Sequence, residues 1–403
     1  MKIVQIGGAL NGAQKIIEEA IHHRAIEQGQ ESYIFYAWGK SNESGIVKYE
    51  NKFENLVTRA LRKYVGKRSC YSALQTRRLI RKIEGIHPDI IHLHVLHHGY
   101  TDYNMLFKYL AKVQIPVVYT MHDMWAFTGG CYHYTMEDCN EFSVSCENCP
   151  AKNFQLDCEK RQTKKLYNVK KQLLGEIEKL HIVTVSDWVR EVLQRSFLAD
   201  IPVNVIPNGV YRNADYGLYA QESKTSVRKR IICVAASWDE RKGIHILLEL
   251  AEMLGEAYEV LVVGGVREEV RAQAPKNVVF YGYCKDKAKL KDLYVSSDIH
   301  VSASQEETFG MTFVEAAVVG VRCIGFASTA IRETVIAAHG VVVEEKNAIA
   351  LKNAILEIVN QDACRLTCEE IREVRERFST EKMANEYLDL YSKMLTPKGG
   401  IDC

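Results

Sequence analysis

The chain has 403 residues, 47% of them hydrophobic and 26% charged, which is apolar material for two cores rather than one. Lysine and arginine number 52 against 51 acidic residues, so the net charge of +1 gives no global pull toward nucleic acid or an acidic substrate. No run of about 18 apolar residues occurs, and the first ten residues hold one lysine and a short apolar stretch broken at Gly7-Gly8, too little for a signal peptide, so a cytoplasmic protein is expected.

In chain order, Lys2–Ile6 reads as a buried strand, Gly7, Gly8 and Gly12 as a glycine-rich turn, and Ala13–Gln28 as a helix closed by Gly29. Ser32–Ala37, Ile90–Leu93, Val117–Thr120 and Ile182–Ser186 read as further strands. Pro207–Arg230, with Asn208-Gly209 and a polar tail, reads as a linker. The alternation then begins again, with strands at Ile231–Ala236, Glu259–Val263, Val278–Tyr281, Ile299–Ser302 and Val321–Gly325 and helices at about 244–255, 286–297, 311–319 and 347–360. Thr380–Leu395 is a long amphipathic helix with no strand after it. Short apolar strands alternating with helices predict parallel sheets covered on both faces, and two such α/β units in tandem.

Chemistry is densest between Ser302 and Glu315. A strand ends near Ser302, a loop bears Glu306 and Glu307, Gly310 permits a close backbone approach, and a helix begins around Met311, where free amide hydrogens attract phosphate. Glu307 precedes that helix and Glu315 lies about one turn inside it, so the two carboxylates can address different parts of one ligand; a loop charge plus a helix-surface glutamate is the alternative. His122 and Asp123 follow the strand Val117–Thr120 at the carboxyl edge, where such sheets bind ligands, the alternative being a hydrogen-bonded structural histidine. No Asp-x-Asp pair is present, so the carboxylate clamp for magnesium is missing and no catalytic metal is expected.

Of twelve cysteines, Cys233, Cys284 and Cys323 sit in apolar stretches and read as buried small hydrophobes. Cys131, Cys139, Cys146 and Cys149, with Cys158 nearby, offer soft ligands that suit a structural zinc; a pair of disulfides or a set of unliganded thiols are the alternatives. Nine lysines and arginines fall within 59–82 with no acidic residue among them, interleaved with Leu61, Tyr64, Val65, Leu74, Leu79 and Ile80. Such a surface can rest on anionic lipid or be a solvated helical face.

The stretch Glu307-Thr-Phe-Gly-Met-Thr-Phe-Val-Glu315 resembles the E-x-F-G-x-x-x-x-E signature of glycosyltransferase family 4, the large retaining group with the GT-B fold. Ala236–Gly243 resembles that family's lysine-glycine donor loop, Val205–Val210 its interdomain strand and turn, Thr120–Gly129 its T-x-H-D stretch, and Asn11–Ile17 the glycine loop of its first domain. The resemblance runs from residue 1 to about 395. It implies two Rossmann-like parallel-sheet domains facing a cleft: an acceptor-binding domain over 1–205, with a Cys-rich loop at 129–160, and a nucleotide-sugar-binding domain over 210–377. Residues 378–403 would form a helix crossing back onto the first domain.

The activity it implies is retaining, metal-independent transfer of a hexose from a nucleotide-diphosphate sugar to a saccharide or lipid-linked acceptor, as in bacterial polysaccharide biosynthesis, in the cytoplasm or on the inner face of the plasma membrane. By the same resemblance, Lys242 holds the donor diphosphate, Glu307 meets the sugar and Glu315 the ribose. Phe309, Gly310, Met311 and Thr312 line the donor loop, His122 lies near the reacting carbon, and Gly12 and Asp123 belong to the acceptor side. The family carries an arginine five residues before the lysine; this chain has Ser237 there, and Arg241 is the candidate to supply the cation. Rival readings are a GT-B nucleotide-sugar epimerase, an oxidoreductase, which Gly7-Gly8-Ala-Leu-Asn-Gly12 fits poorly, and a non-catalytic nucleotide-sugar-binding protein.

Overall fold

The computed structural model describes residues 1–10, 12–64, 69–151, 156, 158–210 and 228–396. The chain divides into one unit made of Met1–Gly209 with Thr380–Cys403 and a second made of Val210–Ser379.

In the first unit, β1 (Lys2–Ile6), β2 (Glu31–Tyr36), β3 (Ile46–Lys48), β4 (Ile90–Leu93), β5 (Val117–Met121), β6 (Leu180–Thr184) and β7 (Val203–Val205) form one sheet in the order β3-β2-β1-β4-β5-β6-β7. Every pairing in it is parallel. The central strands β4 and β5 are buried at every position, which is why they read as largely apolar runs, broken at His92 and Thr120, instead of alternating ones. The helices are α1 (Gly12–Glu27), α2 (Lys52–Tyr64), α3 (Ala73–Ile86), α4 (Tyr103–Lys112), α5 (Thr163–Gly175) and α6 (Asp187–Leu193). Two of them start on side-chain caps, Asp102 accepting from Met105 N for α4 and Ser186 accepting from Val189 N for α6.

The second unit repeats the plan with β8 (Lys229–Ser237), β9 (Tyr258–Gly265), β10 (Val278–Gly282), β11 (Ile299–Ser302), β12 (Cys323–Phe326) and β13 (Val341–Val343) in the order β10-β9-β8-β11-β12-β13, again all parallel. Its helices are α7 (Ile244–Leu254), α8 (Glu268–Arg271), α9 (Lys287–Val295), α10 (Met311–Ala317), α11 (Ile331–Ala337), α12 (Ala348–Asn360) and α13 (Cys368–Arg377). Ile231, Leu247, Val260, Val301, Ile324 and Leu351 are among the residues that make its core. In each sheet the winding reverses once, between β1 and β4 and between β8 and β11. Loops leaving the carboxyl ends of those strands diverge there and open a crevice, the usual place for a ligand in a doubly wound sheet.

The last helix, α14 (Thr380–Leu395), belongs to the first unit. Met383, Ala384, Tyr387, Leu388 and Tyr391 pack with Ile17, Ile21 and Ala25 of α1 and with Ile3, Ile90 and Val118 of the sheet. Burying a large apolar side chain contributes about 1.5–3 kcal/mol, so this face alone fastens the helix. Its two tyrosines also reach the central strands, Tyr387 hydroxyl to Thr120 at 2.9 Å and Tyr391 hydroxyl to His92 Nδ1 at 2.6 Å. The return of the chain to the first unit is the crossing that the resemblance implies.

Some expectations need correcting. β6 starts two residues before the expected Ile182 and β12 two residues after the expected Val321, while the three-residue strands β3 and β13 gave no local signal. Cys233 and Cys323 are buried as expected, but Cys284 lies past the end of β10 and is only half-buried, its thiol donating to Asp286 O at 3.3 Å. Asn11 of the glycine loop, Val65, Lys67 and Arg68 of the basic run, and residues 211–227 of the expected linker lie outside the described residues. Among the described residues no helix is long and apolar enough to cross a membrane.

Candidate functional site

In the second unit the loop after β8 is anchored by Trp238, buried, whose backbone N–H donates to Gly265 O at 2.8 Å and whose indole donates to Val263 O at 3.0 Å. Asp239 Oδ1 accepts from Lys242 N at 2.9 Å and curls the loop back. Gly243 closes it with φ of 71°, and a Cβ there would stand 2.1 Å from Ala303 O at the end of β11. Only glycine permits both the left-handed backbone and that approach, and the approach carries Arg241 and Lys242 onto the loop that follows β11.

Those two cations face the same loop. Gln305 N donates to Arg241 O at 2.8 Å and Arg241 Nη1 to Glu306 O at 3.1 Å, while Lys242 Nζ donates to Glu307 Oε1. Ser304 Oγ donates to the same carboxylate oxygen at 2.9 Å, and Glu307 N donates to Thr329 Oγ1 at 3.1 Å. Burial pushes the Glu307 carboxyl up, but the charges of Lys242 and Arg241 and the bonds from Lys242 and Ser304 outweigh it and hold the group below the usual carboxylate range. Glu307 is therefore an ionised, acceptor-only group clamped by two cations. Ser237, where the family carries arginine, is exposed at the end of β8.

Beyond Glu307, Phe309 is buried edge-on to Phe378 at 5.7 Å between ring centres. Gly310 has φ of 88°, and a Cβ there would meet the Phe313 ring at 2.8 Å. Met311 and Thr312, half-buried, form the first turn of α10. Glu315, further along that helix, is not a loose surface charge: Lys287 Nζ lies 3.1 Å from its Oε1 and Tyr294 hydroxyl donates to its Oε2 at 3.1 Å.

In the first unit the ends of β4 and β5 assemble a histidine cluster. His94 Nδ1 lies 3.1 Å from His122 Nε2, with the two rings stacked at 5.4 Å, and His94 Nε2 lies 3.1 Å from Gln5 Oε1. His97 Nε2 lies 2.7 Å from Asp123 Oδ2, and Asp123 Oδ1 accepts from Trp125 N at 2.8 Å. A small cavity is lined by His94, His97, Thr120, His122, Asp123 and Ala126. Among the described residues the buried Nδ1 of His97 has no hydrogen-bond partner. Burial lowers His122 to about 4, so its imidazole is neutral at neutral pH. Burial alone would raise Asp123, but His97 beside it and the Trp125 amide hold its carboxyl well below the ordinary range. Gly12 opens α1 with φ of 55° and nothing within 4 Å of where a Cβ would be, so conformation and not crowding favours glycine there.

Two further features lie outside these clusters. Cys131, Cys139, Cys146 and Cys149 line one cavity in the loop after β5, Cys146 Sγ accepting from Gly129 N at 3.1 Å. Burial pushes the Cys131 and Cys146 thiols up to about 12. As arranged, no three His, Cys, Asp or Glu side chains among the described residues are gathered closely enough to hold a metal ion. On α2, Phe53, Leu56, Val57 and Tyr64 fall on one stripe and are 72%, 67%, 42% and 77% exposed, so the apolar face of this helix points outward, flanked by exposed Arg59 and Lys63.

Sequence reasoning named Lys242, Glu307 and His122 as candidates, but not their partners Ser304, Thr329, Lys287, Tyr294, Gln5, His94 and His97. One signal was available: a buried apolar strand interrupted as Ile-Ile-His92-Leu-His94, with His97 just beyond, carries polar rings that need partners.

Two family descriptions match this chain, Glycosyltransferase Family 4 over residues 12–213 and Glycosyl transferases group 1 over residues 218–381. The putative colanic acid biosynthesis glycosyl transferase WcaC of Escherichia coli (strain K12) is 23% identical over 394 residues, covering 93% of this chain and 95% of that protein. Among solved structures, sucrose-phosphate synthase from Thermosynechococcus elongatus superimposes with a TM-score of 0.71 at 18% identity, over 98% of this chain and 99% of that one. Anabaena Alr3699/HepE in complex with UDP-glucose does so with a TM-score of 0.63 at 15% identity, over 98% of this chain and 100% of the other.

Proposed function

The chain belongs to glycosyltransferase family 4, and on that premise we propose that it moves a sugar, with retention and without a catalytic metal, from a nucleoside-diphosphate donor to a saccharide or lipid-linked acceptor of polysaccharide synthesis. The junction of Arg241, Lys242 and Glu307 carries this reading: two cations and one ionised carboxylate meet at the switch point of the second sheet. A departing diphosphate needs positive charge fixed in advance, which Lys242 and Arg241 supply, and the absence of an Asp-x-Asp pair fits protein cations doing this in place of a metal.

In the proposed reaction the acceptor hydroxyl attacks the anomeric carbon on the face from which the diphosphate leaves. The new C–O bond forms as the sugar–phosphate bond breaks, and a diphosphate oxygen takes the hydroxyl proton. Glu307 accepts hydrogen bonds from the sugar, and Phe309, Gly310, Met311 and Thr312 shape the donor loop at the start of α10. Glu315 exchanges its contacts with Lys287 and Tyr294 for the ribose diol. In the first unit His122, Asp123 and Gly12 are assigned to the acceptor side, where a small cavity lined by His94, His97, His122 and Asp123 suits a polar ligand. The similarity to WcaC, named for colanic acid biosynthesis, supports the polysaccharide class.

The outward apolar stripe of α2 and the basic residues within 59–82 support peripheral contact with an anionic membrane, which would suit a lipid-linked acceptor. For the four thiols around the 129–160 loop we propose a structural zinc, whose binding would draw the side chains together and expel their protons. Thermal shift with UDP, GDP and NAD tests the main reading: stabilisation by a nucleoside diphosphate and none by NAD is expected, and the reverse pattern refutes it. Product analysis by NMR must then show the donor's anomeric configuration in the new linkage, and transfer with inversion overturns the retaining assignment.

A further inference from the structure

Thr329 stands in the loop between β12 and α11 with φ of 52°. A side chain branched at Cβ crowds its own backbone in that left-handed region, and among the described residues Thr329 is the one β-branched residue found there. Glycine would adopt the same conformation without crowding, as Gly243 and Gly310 do in the neighbouring loops. Strain of this kind persists only where the surrounding contacts over-determine it. Here those contacts lead to the loop that bears Glu307. Ser328 Oγ donates to Gln305 O at 2.6 Å and accepts from Lys346 Nζ at 3.0 Å. Glu307 N donates to Thr329 Oγ1 at 3.1 Å, and Ala330 N donates to Glu307 O at 3.3 Å. Both main-chain groups of Glu307 are thus held by two adjacent residues of one strained turn, while Ser304 and Lys242 hold its carboxylate.

We propose that Thr329 is a positioning residue for Glu307: its hydroxyl, kept in a strained turn, fixes the main chain from which the carboxylate reaches the donor sugar. A glutamate side chain has three rotatable bonds, so its carboxylate is placed only as well as the main chain that carries it. With that anchor held at both its N–H and its C=O, the acceptor oxygens stand ready before the sugar hydroxyls arrive. Glycine at 329 would relieve the backbone but bring no oxygen for Glu307 N, which is the physical reason for a threonine in a conformation that suits it poorly. The diphosphate is met by Arg241 and Lys242 from the loop after β8, so its binding should feel the anchor less than the sugar does.

The inference rests on the assignment of Glu307 to the donor sugar, and its test separates the two. Thr329→Val preserves shape and strain and removes the oxygen, Thr329→Gly removes oxygen and strain together, and Thr329→Ser keeps the oxygen. In the full-length protein, hydrogen exchange at Glu307 N should quicken in the valine and glycine variants and stay slow in the serine one. With UDP-glucose and GDP-mannose as donors, kcat is expected to fall about tenfold or more in Thr329→Val and Thr329→Gly, with the affinity for free UDP or GDP little changed, and Thr329→Ser should recover most of that loss. Relief of strain offsets the lost bond in Thr329→Gly, so its melting temperature should stay within about 3 °C of native although its turnover falls. A merely structural residue gives another ordering, in which activity follows the melting temperature and Thr329→Gly is the best preserved; that result, or an unchanged kcat in Thr329→Val, overturns the proposal. Native protein that binds neither UDP nor GDP refutes the donor-site reading itself, and the role of Thr329 falls with it.

Discussion

Lys242→Met keeps the length of the side chain and removes its charge. In the native protein the ammonium meets Glu307, with 20% and 21% of the two side chains exposed, a setting between bulk water and a dry interior. At an effective dielectric of ~20, charges about 4 Å apart attract by about 4 kcal/mol. A diphosphate gaining negative charge as it leaves would draw on the same ammonium, part of whose attraction Glu307 already uses in the ground state. Removal of one preorganised donor elsewhere costs about 2.7–4 kcal/mol, so a fall of about a hundredfold in kcat is expected. Folding should suffer less, by about 1–2 kcal/mol, because Arg241 and Ser304 still partner Glu307 and the pair is not fully buried. The pH dependence gives an independent reading. The folded pKa of Glu307 lies below its ordinary 4.5, so the pair's stabilisation is complete above that pH and is lost as pH falls through the lowered value. Without Lys242 the carboxyl rises, and the acid limb of the kcat profile should move to higher pH. Steady-state kinetics from pH 4 to 8, with circular dichroism to establish folding, decide the matter. A folded variant within threefold of native kcat refutes the donor-site assignment.

The glycines separate crowding from conformation. Gly243→Ala must push a Cβ into Ala303 O and should lower the melting temperature by more than about 5 °C and abolish transfer, whereas Gly12→Ala, with open space around it, should cost only the ~1–2 kcal/mol of a left-handed backbone; equal effects would contradict the packing described. Acid should weaken the first unit: His122 is lowered from 6.5 to about 4, so between those values the unfolded chain takes up a proton that the folded one refuses, and stability falls as pH falls. About 2 kcal/mol of this appears by pH 5, roughly 4–8 °C in the transition of a unit this size, and His122→Asn should reduce that acid shift; an unaltered shift argues that other groups cause it. Phe53→Ser with Leu56→Ser should weaken co-sedimentation with phosphatidylglycerol vesicles about a hundredfold, from the ~3 kcal/mol of apolar burial removed, and native protein that ignores such vesicles disproves the membrane contact. Elemental analysis of protein purified without chelator should find about one zinc per chain, and a content near zero with a full set of titratable thiols rules the metal out.

The two parallel sheets were legible because their central strands are buried on both faces and so spell largely apolar runs, as Ile231 to Val234 does and Ile3 to Ile6 does but for Gln5. β3 and β13 were not legible, since each is three residues long and exists by pairing with a neighbour, Ile46 with Ile34 and Val341 with Ile324.

The division within the candidate sites has a structural cause. The candidates named from the sequence stand just after strands at the carboxyl edges of the sheets: Lys242 after β8 and Glu307 after β11, which flank the switch point of the second sheet, and His122 after β5, one strand beyond the switch of the first. Loops there carry short motifs whose spacing is set by the chain itself, as when Gly243 must pass Ala303 for Lys242 to reach Glu307. Residues that hold those side chains come from strands and helices distant in sequence, Gln5 from β1 meeting His94, and Lys287 and Tyr294 from α9 meeting Glu315. Their identity follows from what must be satisfied once an imidazole or a carboxylate is buried, and that demand appears only when the sheet has brought the partners together. A motif in this architecture therefore names candidate groups for a ligand, while the fold chooses the buried groups that partner them.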